Sequence, residues 1–170
     1  MYRQGYRLLA FVALFAAMYA ALSQAWGEGL SHGLIDWATV KPAAWMARQL
    51  SGQADIVADG SHLRSISASI NILYGCEGTD ALMLLASAVL VAQASFPDRL
   101  IGLAAGTAFV FAINQVRVLV LFFSVQSHPA WFGPLHGLIA PLAVVVLVVV
   151  FFLGWLRWAA RDAPDEAVRT

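Results

Sequence analysis

Four long stretches of apolar residues, separated by polar segments, dominate the hydrophobic pattern of this chain. A helix rises about 1.5 Å per residue, so roughly 20 apolar residues are needed to cross the hydrocarbon layer of a membrane. The pattern therefore predicts an all-α integral membrane protein with a four-helix transmembrane bundle, and residues 1–170 form one membrane domain in this prediction. The predicted helices span about 8–26, 79–97, 100–125 and 137–157.

The segment between the first two predicted helices, residues 27–78, has a different pattern. Its first half predicts a short helix over 42–50, because Pro42 suits the first turn of a helix. Further on, an Asp59-Gly60 turn separates residues 54–57 from residues 66–72, where apolar residues alternate with small polar ones. We therefore expect a small helix and a β-hairpin inserted between helices one and two.

The positive charges predict the orientation of the bundle. Lys and Arg residues near helix ends are retained on the cytoplasmic side of a membrane. Both termini, including the tail 158–170, are therefore predicted to be cytoplasmic, and the segment 27–78 is predicted to face outward. Six Arg residues lie on the side assigned to the cytoplasm: Arg3, Arg7, Arg99, Arg157, Arg161 and Arg169.

Composition excludes several classes of protein. The chain is 61% hydrophobic and 12% charged, with a mean hydropathy of +0.74, which is incompatible with a soluble fold. Ten Lys and Arg residues balance ten Asp and Glu residues, so there is no basic field for a nucleic acid, and the lipid bilayer is the expected partner. A single cysteine, Cys76, excludes an intramolecular disulfide, and the histidine spacings match no compact zinc site. We expect neither a metal nor a cofactor.

Arg117 is the residue that is hardest to explain as structure. A guanidinium stays charged, and placing one inside a transmembrane helix costs about 3 kcal/mol on insertion scales. Asn114 lies three residues earlier, on the same face of the helix. Two roles are open for Arg117. It either forms a structural salt bridge with Asp80 or Glu77, or it binds an anion or stabilises a transition state inside the bundle.

Cys76 lies between Gly75 and Gly78, where the backbone can turn sharply and another chain can approach closely. A lone cysteine is either a buried small hydrophobe or a nucleophile. The topology places Cys76 at the outer mouth of helix two, near the level of Arg117 and His136. An adjacent cation favours the thiolate.

Two histidines lie in the loop before helix four. His136 is anchored at the start of that helix, and His128 comes eight residues earlier, next to Pro129. Imidazole can act as both acid and base near neutral pH. We expect His136 to be the proton-transfer group and His128 to lie at the tip of the loop.

These residues together carry a resemblance to a known family. Cys76-Glu77-Gly78 ahead of one helix, Asn114-Gln115-Val116-Arg117 in the next, and His136 opening the last resemble the exosortase and archaeosortase family, over about 70–158. The short chain looks like the small exosortase H type. The resemblance implies a membrane-embedded cysteine protease or transpeptidase in the bacterial inner membrane, with its active site on the periplasmic side. It also implies substrates that are exported proteins ending in a short motif, a transmembrane helix and a basic tail.

The resemblance also implies roles for individual residues. Cys76 would be the nucleophile that forms a thioester, His136 the proton-transfer partner, and Arg117 the cation that stabilises thiolate or oxyanion. Asn114 would orient Arg117, and Glu77 and Gly78, beside the nucleophile, are likewise expected to bind or orient the substrate. A carboxylate at Glu77 disfavours the thiolate unless it pairs with Arg64 or Arg117, and both pairings remain open.

A second interpretation belongs to another functional class. The chain is then a non-enzymatic membrane subunit or a small transporter, in which Arg117 is the counter-ion of an anionic ligand or partner helix. The sequence leaves the acceptor of the acyl group and the oligomeric state open.

Overall fold

The computed structural model of the chain describes residues 2–25 and 28–161, which are mostly helical. The α-helices are α1 (Tyr2–Ala25), α2 (Glu28–Ser31), α3 (Lys41–Ser51), α4 (Thr79–Val91), α5 (Phe96–Ser127), α6 (Phe132–Pro134) and α7 (Ala140–Arg161). Two π-helical segments precede α3 and α7, at His32–Val40 and Leu135–Ile139, and a 3-10 turn at Pro129–Trp131 precedes α6. The strands are β1 (Val57–Asp59), β2 (His62–Arg64) and β3 (Ser69–Asn71).

Three helical segments of the described chain are long and apolar enough to cross a membrane: Gly5–Ala25, Phe96–Ser127 and Pro129–Arg161. The fold is thus consistent with the predicted class, an α-helical membrane protein. The second predicted span is shorter than expected. It is represented by α4, whose 13 residues extend about 20 Å, less than the roughly 30 Å of a hydrocarbon layer.

The prediction that helix two runs to residue 97 is wrong, because α4 ends at Val91 and the backbone of Ala92 is extended. Residues 98 and 99 separate the second and third predicted helices, but in the structure they lie in the first turn of α5. Ser95 caps this helix by accepting a hydrogen bond from the Asp98 N–H, and Pro97 occupies a first-turn position. These signals start a new helix at Phe96, although the apolar residues before it predicted that helix two continues to residue 97.

The other helices are longer than predicted. The first begins at Tyr2 and not at residue 8, and residue 26 lies outside the described chain. The third runs to Ser127. The last continues to Arg161, so residues 158–161 are helical and not part of a tail; no Gly or Pro interrupts the chain there. The remainder of the predicted tail, 162–170, lies outside the described residues.

The two strands predicted to form a hairpin do not pair with each other, because a third strand lies between them in an antiparallel sheet with the order β1-β2-β3. The Asp59-Gly60 turn is confirmed, with Gly60 at a φ of 57°, and Asp59 pairs with His62 across it. The second strand was not predicted, because its three residues are too few to show an alternating pattern. Its central residue, Leu63, is fully buried and pairs with Ile70 of β3.

We refer to residues 28–72, which contain α2, α3 and the sheet, as the cap. The predicted helix over 42–50 is confirmed by α3, with Pro42 in its first turn. Residues 28–40 carried no structural prediction and are helical. The apolar side of the cap packs against the last turns of α5, where Phe122 is completely buried.

A polar layer separates the core beneath the cap from the core of the bundle. Val118 and Phe122 of α5 belong to the first core, and Val110 belongs to the second. Between them, Asn114 and Gln115 are buried, and the Gln115 side chain donates a hydrogen bond to the Ala38 carbonyl at 3.1 Å. Polar side chains of α5 therefore lie where the cap meets the bundle.

Two glycines allow α4 and α7 to pack closely against α5. A Cβ atom at Gly102 would lie 2.5 Å from the ring of Trp155, and one at Gly106 would lie 2.6 Å from a methyl carbon of Leu85. Small residues four positions apart are a common device for close helix packing in membranes. Trp155 also donates a hydrogen bond to the Asp98 carbonyl at 3.1 Å, which fixes α7 to the start of α5.

Candidate active site

Cys76, Arg117 and His136 lie together at the junction of the cap and the bundle. The Sγ atom of Cys76 is 3.5 Å from Nε2 of His136, within hydrogen-bond distance for sulfur. A terminal guanidinium nitrogen of Arg117 lies 4.0 Å from the same sulfur. The three side chains come from the loop before α4, the middle of α5 and the π-helical segment before α7. The structure thus brings together the three residues that were predicted from the sequence to form a catalytic set.

The loop that carries Cys76 is tightly folded. The Cys76 N–H donates to the Leu73 carbonyl at 2.9 Å and closes a turn. Gly75 and Gly78 have φ angles of 86° and 89°, a region that residues with a Cβ rarely adopt. The glycines on both sides of Cys76 therefore permit the turn that brings the thiol to α5 and α7.

His136 lies in the π-helical segment Leu135–Ile139 and is half-buried. Its ring stacks on Phe132, with 5.4 Å between ring centres and an angle of 17° between the planes. By contrast, His128 is exposed at the end of α5, as expected for a loop-tip residue. Of the two histidines, only His136 reaches the thiol in the described structure.

Arg117 is half-buried and forms no ion pair in the described part of the chain. The interpretation of Arg117 as a packing salt bridge with Asp80 or Glu77 is therefore wrong for this structure. Its Nε atom is buried and has no hydrogen-bond partner among the described residues. The cation is thus available to a group that approaches Cys76.

Asn114 is buried one turn before Arg117 but forms no hydrogen bond with it in the described residues. Its side chain instead lies against Gly78, where an added Cβ would be 3.0 Å from the Asn114 Cγ atom. The predicted orienting contact to Arg117 is therefore not present. Asn114 sets how closely the start of α4 approaches α5.

Glu77 uses neither of the two partners considered for it. Arg64 pairs with Asp59 at 3.0 Å, and no ion pair joins Glu77 to Arg117 in the described chain. One carboxylate oxygen of Glu77 accepts a hydrogen bond from the Thr79 hydroxyl, and the other is buried without a hydrogen-bond partner there. The carboxylate is thus held at the first turn of α4, where the helix N-terminus favours negative charge.

A cavity of about 340 Å³ opens beside the loop that carries Cys76. Its walls are mainly apolar and come from α1, α4 and α7, while Arg117 and Asp80 supply charge. The residues that line it are Phe15, Gly75, Gly78, Asp80, Ala81, Leu84, Arg117, Pro141, Val144 and Val145. An extended apolar ligand with one polar group near Arg117 fits this lining.

Sequence reasoning gave no site role to Phe132 or Tyr74. The signal for Phe132 was its position four residues before His136, a spacing that places two side chains on one helix face. Tyr74 lies two residues before Cys76 and packs edge-on against Tyr19 of α1. Partial burial and a hydrogen bond with Tyr19, together with the charges of Asp80 and Glu77, raise the pKa of Tyr74 to about 12. Tyr74 is therefore a neutral phenol at physiological pH.

No three His, Cys, Asp or Glu side chains converge as a set of metal ligands within residues 2–25 and 28–161. Comparison of the chain with protein-family models, with curated proteins and with solved structures gives no match. The resemblance to exosortases therefore depends on the residues quoted above.

Proposed function

We propose that this protein is a membrane-embedded cysteine protease or transpeptidase, similar to exosortases, that cleaves a C-terminal sorting signal from exported proteins. One observation carries the proposal: a thiol lies 3.5 Å from an imidazole nitrogen and 4.0 Å from a guanidinium nitrogen that has no carboxylate partner in the described chain. A nucleophile beside a base and a cation is the arrangement that acyl transfer requires.

The first half of the reaction forms a thioester. His136 takes the proton of the Cys76 thiol, and the sulfur attacks the carbonyl carbon of the scissile peptide bond. Arg117 stabilises the negative charge on the sulfur and then on the tetrahedral oxyanion. When the intermediate collapses, the carbon–nitrogen bond breaks and His136 protonates the leaving amine. The N-terminal part of the substrate remains as a thioester on Cys76.

The second half releases that acyl group. Water or an acceptor amine attacks the thioester carbonyl, and His136 removes a proton from the attacking group. The carbon–sulfur bond breaks, and the proton returns to the sulfur. Water gives a shortened protein with a free carboxylate, whereas an amine gives a new amide.

The transmembrane helix of the substrate is proposed to lie between α1 and α7, over α4. The cavity beside Cys76 is lined by these three helices, and a second cavity, of about 620 Å³, is lined by the same helices near the other end of α4. Leu8 of α1 and Leu156 of α7 both line this second cavity. An apolar helix seated along both cavities would bring the motif that precedes it to Cys76.

The packing of α4 on α5 supports a proposed position of Cys76 at the membrane boundary. Gly78 contacts Asn114, which lies 18 residues after Phe96, the first residue of α5. At 1.5 Å per residue this is about 27 Å, close to the thickness of a hydrocarbon layer. We propose that α4 and residues 92–95 complete a fourth crossing and that Cys76 lies at the periplasmic boundary. The cap then faces the periplasm of a bacterial inner membrane and both termini face the cytoplasm, as the positive charges predict.

Co-expression with a reporter protein tests the activity. The reporter carries a short Ile-Pro-Thr-Leu type motif, a transmembrane helix and a basic tail, and its length is followed on a gel. Wild-type chain should shorten it, whereas Cys76→Ala should leave it intact. His128→Ala is the matched control, because this exposed histidine lies away from the thiol. An uncut reporter with both proteins present in the membrane, or cutting by Cys76→Ala, would contradict the proposal.

A non-enzymatic role remains a second candidate because of one observation. The Nε atom of Arg117 is buried without a hydrogen-bond partner in the described residues, as expected for a counter-ion whose anionic partner is another molecule. In such a membrane subunit or transporter, Cys76→Ser would have almost no effect. Substitution of Arg117 by Lys would then impair binding of the anionic partner, since a single ammonium group replaces the planar guanidinium and its several donors.

A further inference from the structure

Two opposite charges line the cavity beside Cys76 without forming an ion pair. Asp80 of α4 and Arg117 of α5 are both among its lining residues. No nitrogen of Arg117 lies within 4.0 Å of an oxygen of Asp80, and neither residue forms an ion pair with any other described residue. The lining holds no further charged residue, so its formal net charge is zero. The cavity therefore suits a neutral ligand better than an ion.

Both charged groups lie next to the loop that carries Cys76. A terminal nitrogen of Arg117 is 4.0 Å from the Cys76 Sγ atom. The Oδ2 atom of Asp80 would lie 3.6 Å from a Cβ atom at Gly75, the residue before Cys76, and Gly75 also lines the cavity. The Oδ1 atom of Asp80 is buried, so Oδ2 is the oxygen that is available to a ligand. A ligand that bridges the two charges would thus lie beside the thiol.

The other walls of this cavity are apolar and include Phe15 of α1, Leu84 of α4 and Val144 of α7. In apolar surroundings, a carboxylate and a guanidinium each need a hydrogen-bond partner. A neutral ligand that serves both must carry one donor for Asp80 and one acceptor for Arg117. A peptide group has one N–H and one C=O and meets this requirement.

A peptide bond that is cut at the edge of a membrane has its own need for such partners. Its carbonyl carbon must be open to attack, so the peptide group cannot keep the hydrogen bonds of a helix. Backbone N–H and C=O groups without partners are costly in an apolar environment. Hydrogen bonds to a carboxylate and a guanidinium are stronger than those between neutral groups and offset this cost.

We infer that Asp80 is a substrate-binding residue that accepts a hydrogen bond from the N–H of the scissile peptide group, while Arg117 donates to its carbonyl oxygen. This inference rests on the proposed function and names what the cavity selects, a neutral peptide group within an apolar segment. Asp80 repels an anion, and Arg117 repels a cation. The hydrogen bond leaves the acyl transfer balanced as before: the N–H proton stays on the nitrogen, and His136 adds the further proton when the carbon–nitrogen bond breaks.

The first experiment measures binding without cleavage. The full-length Cys76→Ala chain in detergent is titrated with three ligands of the same branched shape, and apparent affinities are taken from thermal unfolding. N-methylisovaleramide has an N–H and a C=O, methyl isovalerate has only the C=O, and isovalerate is an anion. The amide should bind about tenfold more tightly than either of the others, because only the amide serves both charged groups. Equal binding of amide and ester, or tighter binding of isovalerate, would overturn the inference.

Two substitutions of Asp80 in the same Cys76→Ala chain identify the carboxylate as the acceptor. Asp80→Leu removes the acceptor and should abolish the preference for amide over ester. Asp80→Asn keeps an acceptor without the charge, so isovalerate should gain about tenfold in affinity while the amide still binds better than the ester. Asp80→Asn has nearly the same shape as the original side chain, so it tests the inference even if Asp80→Leu does not fold.

Asp59→Asn is the matched control for these substitutions. Asp59 pairs with Arg64 and does not line the cavity, so this variant should keep the order of the three ligands unchanged. An amide preference that survives in Asp80→Leu would overturn the role of Asp80. An affinity for isovalerate that is the same in Asp80→Asn and Asp59→Asn would also overturn it.

The second experiment measures cleavage of the reporter by chains that keep Cys76. Initial rates at a series of reporter concentrations in detergent give KM and kcat. Asp80→Leu should raise KM about tenfold and change kcat by less than about threefold, because the hydrogen bond is present both before and during the attack. Asp80→Asn should bring KM back to within a few-fold of the wild type, since its amide oxygen is still an acceptor. An unchanged KM in Asp80→Leu would overturn the contact with the substrate. If wild-type chain cleaves no reporter, the proposed function fails, and the binding experiment alone then shows whether the cavity takes a peptide group.

Discussion

Gly78 and Asn114 are in direct contact across the start of α4 and the middle of α5. A Cβ atom at Gly78 would lie 3.0 Å from the Asn114 Cγ, and the φ angle of Gly78 is 89°. The contact sets the depth at which α4 begins, and Cys76 precedes Gly78 by two residues. Arg117 lies one turn beyond Asn114 on α5. The contact between Gly78 and Asn114 therefore places the Cys76 thiol at the level of the Arg117 guanidinium.

Gly78→Ala is therefore expected to impair processing of the reporter strongly. The added methyl group is strained by the positive φ and collides with Asn114, which costs on the order of 1–3 kcal/mol. Processing and thermal unfolding are measured together. Gly154→Ala is the control, because nothing lies within 4 Å of a Cβ at that position in α7, and it should retain processing. Wild-type processing by Gly78→Ala would mean that the contact does not position Cys76.

His136→Ala should reduce processing by a factor of about 10² to 10⁴, the usual contribution of a general acid–base group. His128→Ala should have almost no effect, because this side chain is exposed at the end of α5. Initial rates of reporter shortening at equal amounts of membrane-inserted protein give the comparison. The opposite order of effects would show that His128, and not His136, transfers the proton.

Arg117→Lys should abolish processing of the reporter although it keeps the positive charge. Lysine has one compact ammonium group and cannot reproduce the planar set of donors of Arg117, one nitrogen of which lies 4.0 Å from Cys76 Sγ. A loss of about 10² or more in rate is expected, as for removal of an oxyanion donor. Arg64→Lys is the matched control, since its ion pair with Asp59 is largely exposed and contributes little. Full activity of Arg117→Lys would remove the guanidinium from the mechanism.

The long apolar helices were predictable from the sequence because hydrophobicity over 20 residues is a strong signal. Their ends were less predictable. At Phe96, a cap formed by Ser95 and a first-turn Pro97 start a new helix inside the stretch 79–97 that was predicted to be helix two. The strand at His62–Arg64 was missed for a different reason: it is defined by its pairing with two neighbours, and three residues carry no period of their own.

The candidate site was predictable in its residue types but not in its contacts. An uncompensated arginine in an apolar helix and a cysteine between glycines are visible in the sequence, and the structure places both beside His136. The sequence does not reveal that Asn114 contacts Gly78 and not Arg117, because helical spacing places residues on one face without fixing their rotamers.

Phe132 is expected to be a positioning residue for His136. Its ring stacks on the imidazole at 5.4 Å, one turn earlier along the chain, and no other ring stacks on His136 among the described residues. Phe132→Leu should lower kcat by about tenfold or more with little change in KM, because a displaced base loses its geometry for proton transfer. Phe132→Tyr should restore the rate, since it keeps the aromatic face. Trp131→Leu, at an exposed neighbour, is the control. If Phe132→Leu lowered only thermal stability and left kcat unchanged, the stacking would be structural and His136 would be oriented by its own helix.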